Sequence, residues 1–298
     1  MRKEFLVTKE QKGERLDKFL VKTLDCISRN RLKCLIEEGR ILVNGREKKV
    51  SYQLKPDDHV LVEYEKRKDS GLIPLNLEIE IIYENKDIFI VNKPSGITTH
   101  PPQPGYNDTL VNALKFMNKE LSTLNPLRPG LVHRLDKETS GLMVLAKNNE
   151  AHLNLVEQFK QRLVKKEYRA IVRGLMKQDK FDISLPLKRD KANRLKMKVG
   201  FTKSKEAYTS IEVLERFRKS CLLSIKPSTG RTHQIRVHMS FLGYPIVGDK
   251  KYGIKDNYPS LLLHACKLGF YHPSAKNFLE FNSPLPERFE KFIREQTF

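Results

Sequence analysis

From residue 75 onward, short apolar and β-branched runs alternate with turns, and helical patterns interrupt them only irregularly. The runs at 88–91, 142–146, 168–172, 208–213, 222–225 and 261–263 read as strands. Helical periodicity covers 107–117, 150–161, 232–242 and 286–295. A doubly wound parallel sheet needs a helix after nearly every strand, and that order is missing. The pattern therefore predicts an α+β fold, with irregular loops concentrated in the proline-bearing stretch 100–130.

The first 65 residues form a separate pattern. Leu16, Phe19, Leu20 and Leu24 recur at helical spacing, and Leu32, Leu35 and Ile36 mark a second helix, with Ser28 as N-cap and Gly39 just past its end. Ile41-Leu42-Val43, an Asn44-Gly45 turn and Val60-Leu61-Val62 then predict a small sheet. Arg29, Arg31, Lys33 and Arg40 lie on and after the second helix. Two readings follow: a helix pair with solvated charges, or an RNA-binding module. The order of the segments resembles the S4 RNA-binding domain, which favours the second and assigns those four cations to RNA. Net charge over residues 1–70 is only +5, so this part adds affinity and orientation rather than the main grip. Residues 66–74, polar and closed by Pro74, read as a linker between a domain at 1–65 and one at 75–298.

The chain carries 56 Lys/Arg against 36 Asp/Glu, a formal charge of +20. An excess of that size favours a polyanionic partner. Its distribution strengthens the inference, because residues 160–205 hold sixteen Lys/Arg and four Asp/Glu. Such a run, with Lys165 and Lys166 near its start, suits a phosphate backbone. Cys26, Cys34, Cys221 and Cys266 show no C-x-x-C pairing and read as reduced thiols. No apolar signal region follows Met1 and no apolar run approaches a membrane span, so a cytoplasmic protein without membrane contact is expected.

Chemistry enters with Gly130-Leu131-Val132-His133-Arg134-Leu135-Asp136-Lys137-Glu138-Thr139-Ser140-Gly141. One carboxylate, Asp136, stands between Arg134 and Lys137, where an apolar run gives way to a glycine-bounded turn. A neighbouring cation favours a charged carboxylate, the form that acts as nucleophile or base. Three further segments accompany it: Asn92-Lys93-Pro94-Ser95-Gly96, Lys166-Glu167-Tyr168-Arg169-Ala170-Ile171-Val172-Arg173-Gly174, and Gly230-Arg231-Thr232-His233-Gln234-Ile235-Arg236-Val237-His238. In this order and at these separations they resemble the pseudouridine synthases of the large-subunit ribosomal RNA type. That family isomerises uridine in RNA to pseudouridine.

The resemblance implies a catalytic domain with a bent, mainly antiparallel mixed sheet, flanked by helices and loops around a central cleft. It makes Asp136 the catalytic aspartate, by covalent attack on the sugar or by removal of a C2′ proton. It places Tyr168 against the uracil, either stacking alone or also taking part in removal of the C5 proton, and gives Leu263 the place of an aliphatic pocket wall. It pairs Arg231 with Asp136 as an orienting bridge; a phosphate contact is the rival role, and Arg236 and His238 read as structural or phosphate-facing. Arg134, beside His133, is set against the RNA to fill the space of a flipped nucleotide. The partner implied is ribosomal RNA of the 23S type or an assembling large subunit, met by a monomer.

Isomerisation breaks C1′–N1, turns the uracil, joins C5 to C1′ and releases the C5 proton, so it demands no cofactor. The histidines show no metal-ligand spacing, and no metal is expected. The segment Lys93-Pro94-Ser95-Gly96 lacks phosphate-loop spacing and reads as a turn under the cleft. Two rivals stay open. A base-removing hydrolase requires a second carboxylate, for which Glu138 is the only nearby acid. A catalytically silent S4-type RNA-binding or ribosome-assembly protein requires none of the three catalytic-type residues.

Overall fold

The computed structural model describes residues 2–24, 29–64, 72–102, 106–126, 128–253 and 258–296, without the side chains of 29–31. Cys26, Ser28, Pro104, positions 66–71 of the expected linker, and the side chains of Arg29 and Arg31 lie outside the described residues. The chain divides into two compact units, Met1–Leu72 with Ser122–Gly130, and Ile73–Leu121 with Leu131–Phe298.

The first unit holds β1 (Arg2–Leu6), α1 (Leu16–Thr23), α2 (Arg29–Glu37), β2 (Ile41–Val43), β3 (Arg46–Glu47) and β4 (His59–Glu63). Its antiparallel sheet runs β1-β4-β2-β3. Leu16, Phe19 and Leu20 occupy one face of α1 and meet Leu32, Leu35 and Ile36 of α2 over Ile41, Val43, Val60 and Val62. Asn44 (φ 54) and Gly45 (φ 72) both take the positive φ that a two-residue hairpin turn needs. Lys33 lies 3.6 Å from Glu37 and Arg40 lies 3.8 Å from Glu38, so both candidate RNA contacts have acidic neighbours.

The second unit is built on a nine-stranded mixed sheet. Its strands are β5 (Glu80–Glu84), β6 (Ile88–Lys93), β7 (Ser140–Ala146), β8 (Lys165–Arg173), β9 (Lys180–Ser184), β12 (Tyr208–Arg216), β13 (Ser220–Pro227), β14 (Leu263–Tyr271) and β15 (Phe278–Asn282). A separate hairpin pairs β10 (Leu187–Arg189) with β11 (Met197–Val199). The order is β5-β6-β7-β14-β8-β13-β12-β9, with β15 on β14; β7–β14 is parallel and the other pairs are antiparallel. The helices are α3 (Leu110–Phe116), α4 (Asn149–Lys160), α5 (Gln234–Phe241) and α6 (Glu287–Gln296). This is the expected α+β class.

Strands β6 and β7 are apolar on both faces because both are covered. Phe89, Val91, Met143 and Leu145 pack with Leu110, Ala113 and Leu114 of α3. Ile88, Ile90, Leu142 and Val144 pack with Ala151 and Leu155 of α4. Farther along, Ile235 and Met239 of α5 bury against Ala170, Ile211, Leu223 and Ile225. These layers fix two things for the site: the end of the loop entering β7, and the phase of α5.

Candidate active site

Asp136 lies in irregular backbone between an isolated bridge, Leu131 to Leu145, and the first residue of β7. Loop backbone needs its polar groups satisfied, and here the segment after β6 supplies the partners. The Thr99 hydroxyl donates to Leu135 O at 2.9 Å, Gly96 N donates to Lys137 O at 2.9 Å, and Ser95 Oγ donates to Glu138 O at 2.6 Å. Lys93 Nζ reaches Pro94 O, Ile97 O and Lys137 O at 2.8, 3.0 and 3.2 Å. Three carbonyls match the three donors of an ammonium. Lys93 is wholly buried, and burial pushes its pKa down to about 7, partly offset by Asp136 and Glu138. The Asn92-Lys93-Pro94-Ser95-Gly96 motif thus ties down the Lys137 and Glu138 carbonyls after Asp136, and Thr99 holds the Leu135 carbonyl before it.

The arginine beside Asp136 is Arg236, which corrects the assignment of the bridge to Arg231. Arg236 Nη1 lies 3.2 Å from Asp136 Oδ2, while Nε and Nη2 each donate to Asp249 at 2.8 Å. Arg231 instead donates from Nε to Glu206 O at 2.9 Å, and no ion pair joins it to Asp136 among the described residues. The reason is where the helix begins. Periodicity predicts a start at 232, but α5 starts at Gln234, after His233 in the left-handed region (φ 55, ψ 21). Gln234 closes the preceding turn by accepting from Arg231 N at 3.0 Å and Thr229 Oγ1 at 2.8 Å, and by donating to Tyr208 O and Thr209 Oγ1, both at 2.9 Å. Arg231 is therefore outside the helix, and Arg236 takes the buried position facing Asp136. Burial opposes its charge, but Asp249 and Asp136 outweigh that and raise its pKa above the ordinary arginine value.

A cavity of about 540 Å³ opens at this point. Arg134, Lys160, Arg162, Lys166, Arg231 and Arg236 line it, and Asp136 is the only carboxylate among its described lining residues. Tyr168 and Leu263 also line it, brought together because β8 and β14 are neighbours. Burial first, then Asp136 and Cys266, push the Tyr168 hydroxyl above its usual pKa, so it stays a phenol at neutral pH. Glu138 is not among the lining residues; its side chain is 51% exposed and its carboxylate lies 3.9 Å from Arg236.

The remaining candidates separate. Arg134 is exposed at the cavity and makes no hydrogen bond or ion pair among the described residues. His133 lines the cavity as a neutral ring: burial, with Lys166, pushes its pKa down to about 3. Its Nε2 accepts Val144 N at 3.0 Å and its ring stacks on Phe159 at 4.7 Å, so it offers no positive charge to a phosphate. Strand alternation divides the two lysines. Lys166 faces the cavity and burial lowers its pKa to about 8, whereas Lys165 lies over the Phe278 ring of β15 and does not line the cavity.

Sequence reasoning undervalued Lys93, Arg236 and Asp249. A signal for the last existed. In Asp249-Lys250-Lys251-Tyr252, an aspartate precedes two backbone N–H donors at the spacing of a side-chain-capped turn, and both donate to its Oδ1.

A family profile described as RNA pseudouridylate synthase matches residues 87–241, and one described as S4 domain matches residues 14–71. The chain is 40% identical over 293 residues to the uncharacterized RNA pseudouridine synthase YlyB of Bacillus subtilis (strain 168), covering 97% of this chain and 96% of that one. It is 38% identical over 292 residues to a ribosomal large subunit pseudouridine synthase D of Neisseria meningitidis serogroup A, covering 93% of this chain and 77% of that one. The solved structure of human RNA pseudouridylate synthase domain containing 1 matches with a TM-score of 0.59 at 25% identity, over 78% of this chain and 98% of that one. With profile, relatives and fold in agreement, the chain belongs to the RNA pseudouridine synthases and carries an N-terminal S4 domain.

Proposed function

We propose that this enzyme isomerises specific uridines of large-subunit ribosomal RNA, with Asp136 as the group that acts on the sugar. One observation carries the reading of Asp136: it is the single carboxylate among the described residues lining a cavity that also holds six Lys/Arg. Exposed lining cations such as Arg134, Lys160 and Arg162 suit the phosphates of a polynucleotide, and the lone anion suits the electron-poor C1′ left when C1′–N1 breaks. Hydrolysis by a carboxylate pair finds less support, since Glu138 does not line the cavity. The ribosomal substrate is supported by relatives named as ribosomal large subunit pseudouridine synthase D in several bacteria.

A stacked uridine cannot reach a partly buried carboxylate inside a cavity, so the nucleotide must be flipped out. Arg134, exposed at the cavity and free of ion pairs among the described residues, is suited to the vacated space. Tyr168 and Leu263 bound the space for the base. The N1–C1′ bond breaks, the uracil turns, C5 bonds to C1′, and the C5 proton leaves as N1 gains one. Atoms balance without water or a redox partner.

The test is incubation of purified enzyme with large-subunit ribosomal RNA, naked and in assembling particles, followed by pseudouridine mapping and mass analysis. Pseudouridine formed at unchanged RNA mass, and abolished by Asp136→Asn, supports the reading. Abasic sites, or wild-type turnover by Asp136→Asn, overturn it.

A further inference from the structure

Two residues outside the motifs that located the site hold its charged groups from a single turn. Asp249 takes two hydrogen bonds from Arg236, each at 2.8 Å, and its Oδ1 also accepts Lys251 N at 2.9 Å and Tyr252 N at 3.0 Å. The Tyr252 hydroxyl accepts Met197 N at 2.8 Å and lies 2.6 Å from His233 Nδ1. The other ring nitrogen of that histidine is 3.8 Å from Asp136 Oδ2. The Tyr252 ring centroid is 5.3 Å from the Arg236 guanidinium carbon. Glycines bound the turn because side chains do not fit: a Cβ on Gly248 would sit 2.0 Å from Ser260 O, and one on Gly253 would sit 2.4 Å from Asp249 O.

We infer that the 248–253 turn is a positioning device for the isomerisation, in which Asp249 and Tyr252 hold Arg236 and His233 so that Asp136 keeps one oxygen free for the nucleoside. This rests on reading Asp136 as the catalytic group. An unrestrained guanidinium prefers to grip a carboxylate through both oxygens. Asp249 occupies the Nε/Nη2 edge of Arg236, which leaves Nη1 alone for Asp136 Oδ2. Asp136 Oδ1 accepts no hydrogen bond among the described residues. Without Asp249, Arg236 is free to turn its fork onto Asp136 and occupy the reacting oxygen. Tyr252 acts on the second neighbour, holding the His233 ring from the side away from Asp136.

The test is single-turnover kinetics of the full chain, enzyme in excess over an RNA transcript, for Asp249→Asn, Tyr252→Phe and Asp136→Asn, with RNA affinity measured alongside. The expected rate constant falls about 100-fold for Asp249→Asn and roughly 2- to 12-fold for Tyr252→Phe. RNA affinity, reaction amplitude and the circular-dichroism spectrum stay at wild-type values, and an unchanged spectrum is what a loss of folded protein would not allow. Wild-type rate constants in Asp249→Asn and Tyr252→Phe, with Asp136→Asn inactive, overturn this inference alone. Wild-type turnover by Asp136→Asn overturns the reading beneath it. If Asp249→Asn does not fold, Tyr252→Phe decides: a lower rate constant at full amplitude supports the device, and an unchanged one overturns it.

Discussion

Arg236 Nη1 lies 3.2 Å from Asp136 Oδ2, on a guanidinium that is 3% exposed and doubly bonded to a fully buried Asp249. One cation thus hydrogen-bonds two carboxylates, one structural and one facing the cavity. Removing a partner from such a group leaves a buried charge uncompensated, which costs about 3–5 kcal/mol. Arg236→Met should therefore lower unfolding free energy by that amount in a urea titration. Arg231→Ala, which loses one bond to a backbone carbonyl, should cost about 1 kcal/mol. Equal losses in the two variants would contradict this division of roles.

Tyr168 keeps its proton at neutral pH, since burial and the nearby Asp136 both disfavour the phenolate. The neutral hydroxyl can take the C5 proton only by passing its own on in the same step, while its ring remains a wall for the uracil. Tyr168→Phe should retain RNA affinity and C1′–N1 cleavage. The step lost should be release of the C5 proton, followed as tritium released from 5-labelled uridine. Tritium release at the wild-type rate would remove the hydroxyl from the proton path.

Lys165 and Lys166 are adjacent in sequence and face opposite ways. A lysine that neutralises one phosphate contributes about one unit to the slope of log affinity against log salt. Lys166→Met should weaken RNA binding and flatten that slope by about one unit. Lys165→Met should leave both near wild type. The reverse pattern would mean that RNA tracks over the β14–β15 face instead of the cavity.

The family, the fold class and the placing of Asp136 at the cavity were legible because each rests on local order: motif spacing, apolar runs, and a carboxylate between cations. The identity of its arginine was not. It depends on where α5 starts, and that is set by Gln234 reaching across to Tyr208 and Thr209 and by a left-handed His233. Nothing in 3.6-residue periodicity distinguishes a start at 232 from one at 234. Strands β9 and β15 escaped notice for another reason: at most one residue in each is buried, so neither shows an apolar run. Strand β14 extends well past the apolar 261–263 run, because the buried His264 and half-buried Lys267 break the apolar pattern without ending the strand. Lys93 looked like an ordinary turn lysine. Only the converging carbonyls of Pro94, Ile97 and Lys137 show why it is buried.

His264 on β14 is fully buried, with Nδ1 2.8 Å from Ser140 Oγ and Nε2 3.2 Å from Ser283 Oγ. Burial, with Arg288 adding to it, pushes its pKa down from 6.5 to about 4. Between those values the unfolded chain binds the proton and the folded chain does not, so stability rises with pH there. The stabilisation is complete above pH 6.5 and is lost as pH falls toward 4, on the order of 3 kcal/mol from this group. His264→Asn should flatten the acid limb of unfolding free energy against pH. An unchanged limb would assign the acid sensitivity elsewhere.

Gly141 follows the Asp136 loop into β7, opposite Ala265 in the one parallel strand pairing among the described residues of the sheet. Its φ is +119, and a Cβ there would lie 2.3 Å from Ala265 O and 2.6 Å from Ala265 N. Both atoms are backbone held in β14, so relief requires β7 and β14 to separate. That separation would carry the end of the Asp136 loop with it. Gly96 is the matched control, with φ +96 and nothing within 4 Å of an added Cβ, so substitution there meets strain alone, about 1–3 kcal/mol. Gly141→Ala should cost at least about 3 kcal/mol, beyond the strain-only case. Its remaining folded fraction should also turn over slowly, whereas folded Gly96→Ala should stay closer to wild type. Equal unfolding free energies for the two variants would show that the approach of Ala265 does not constrain this position.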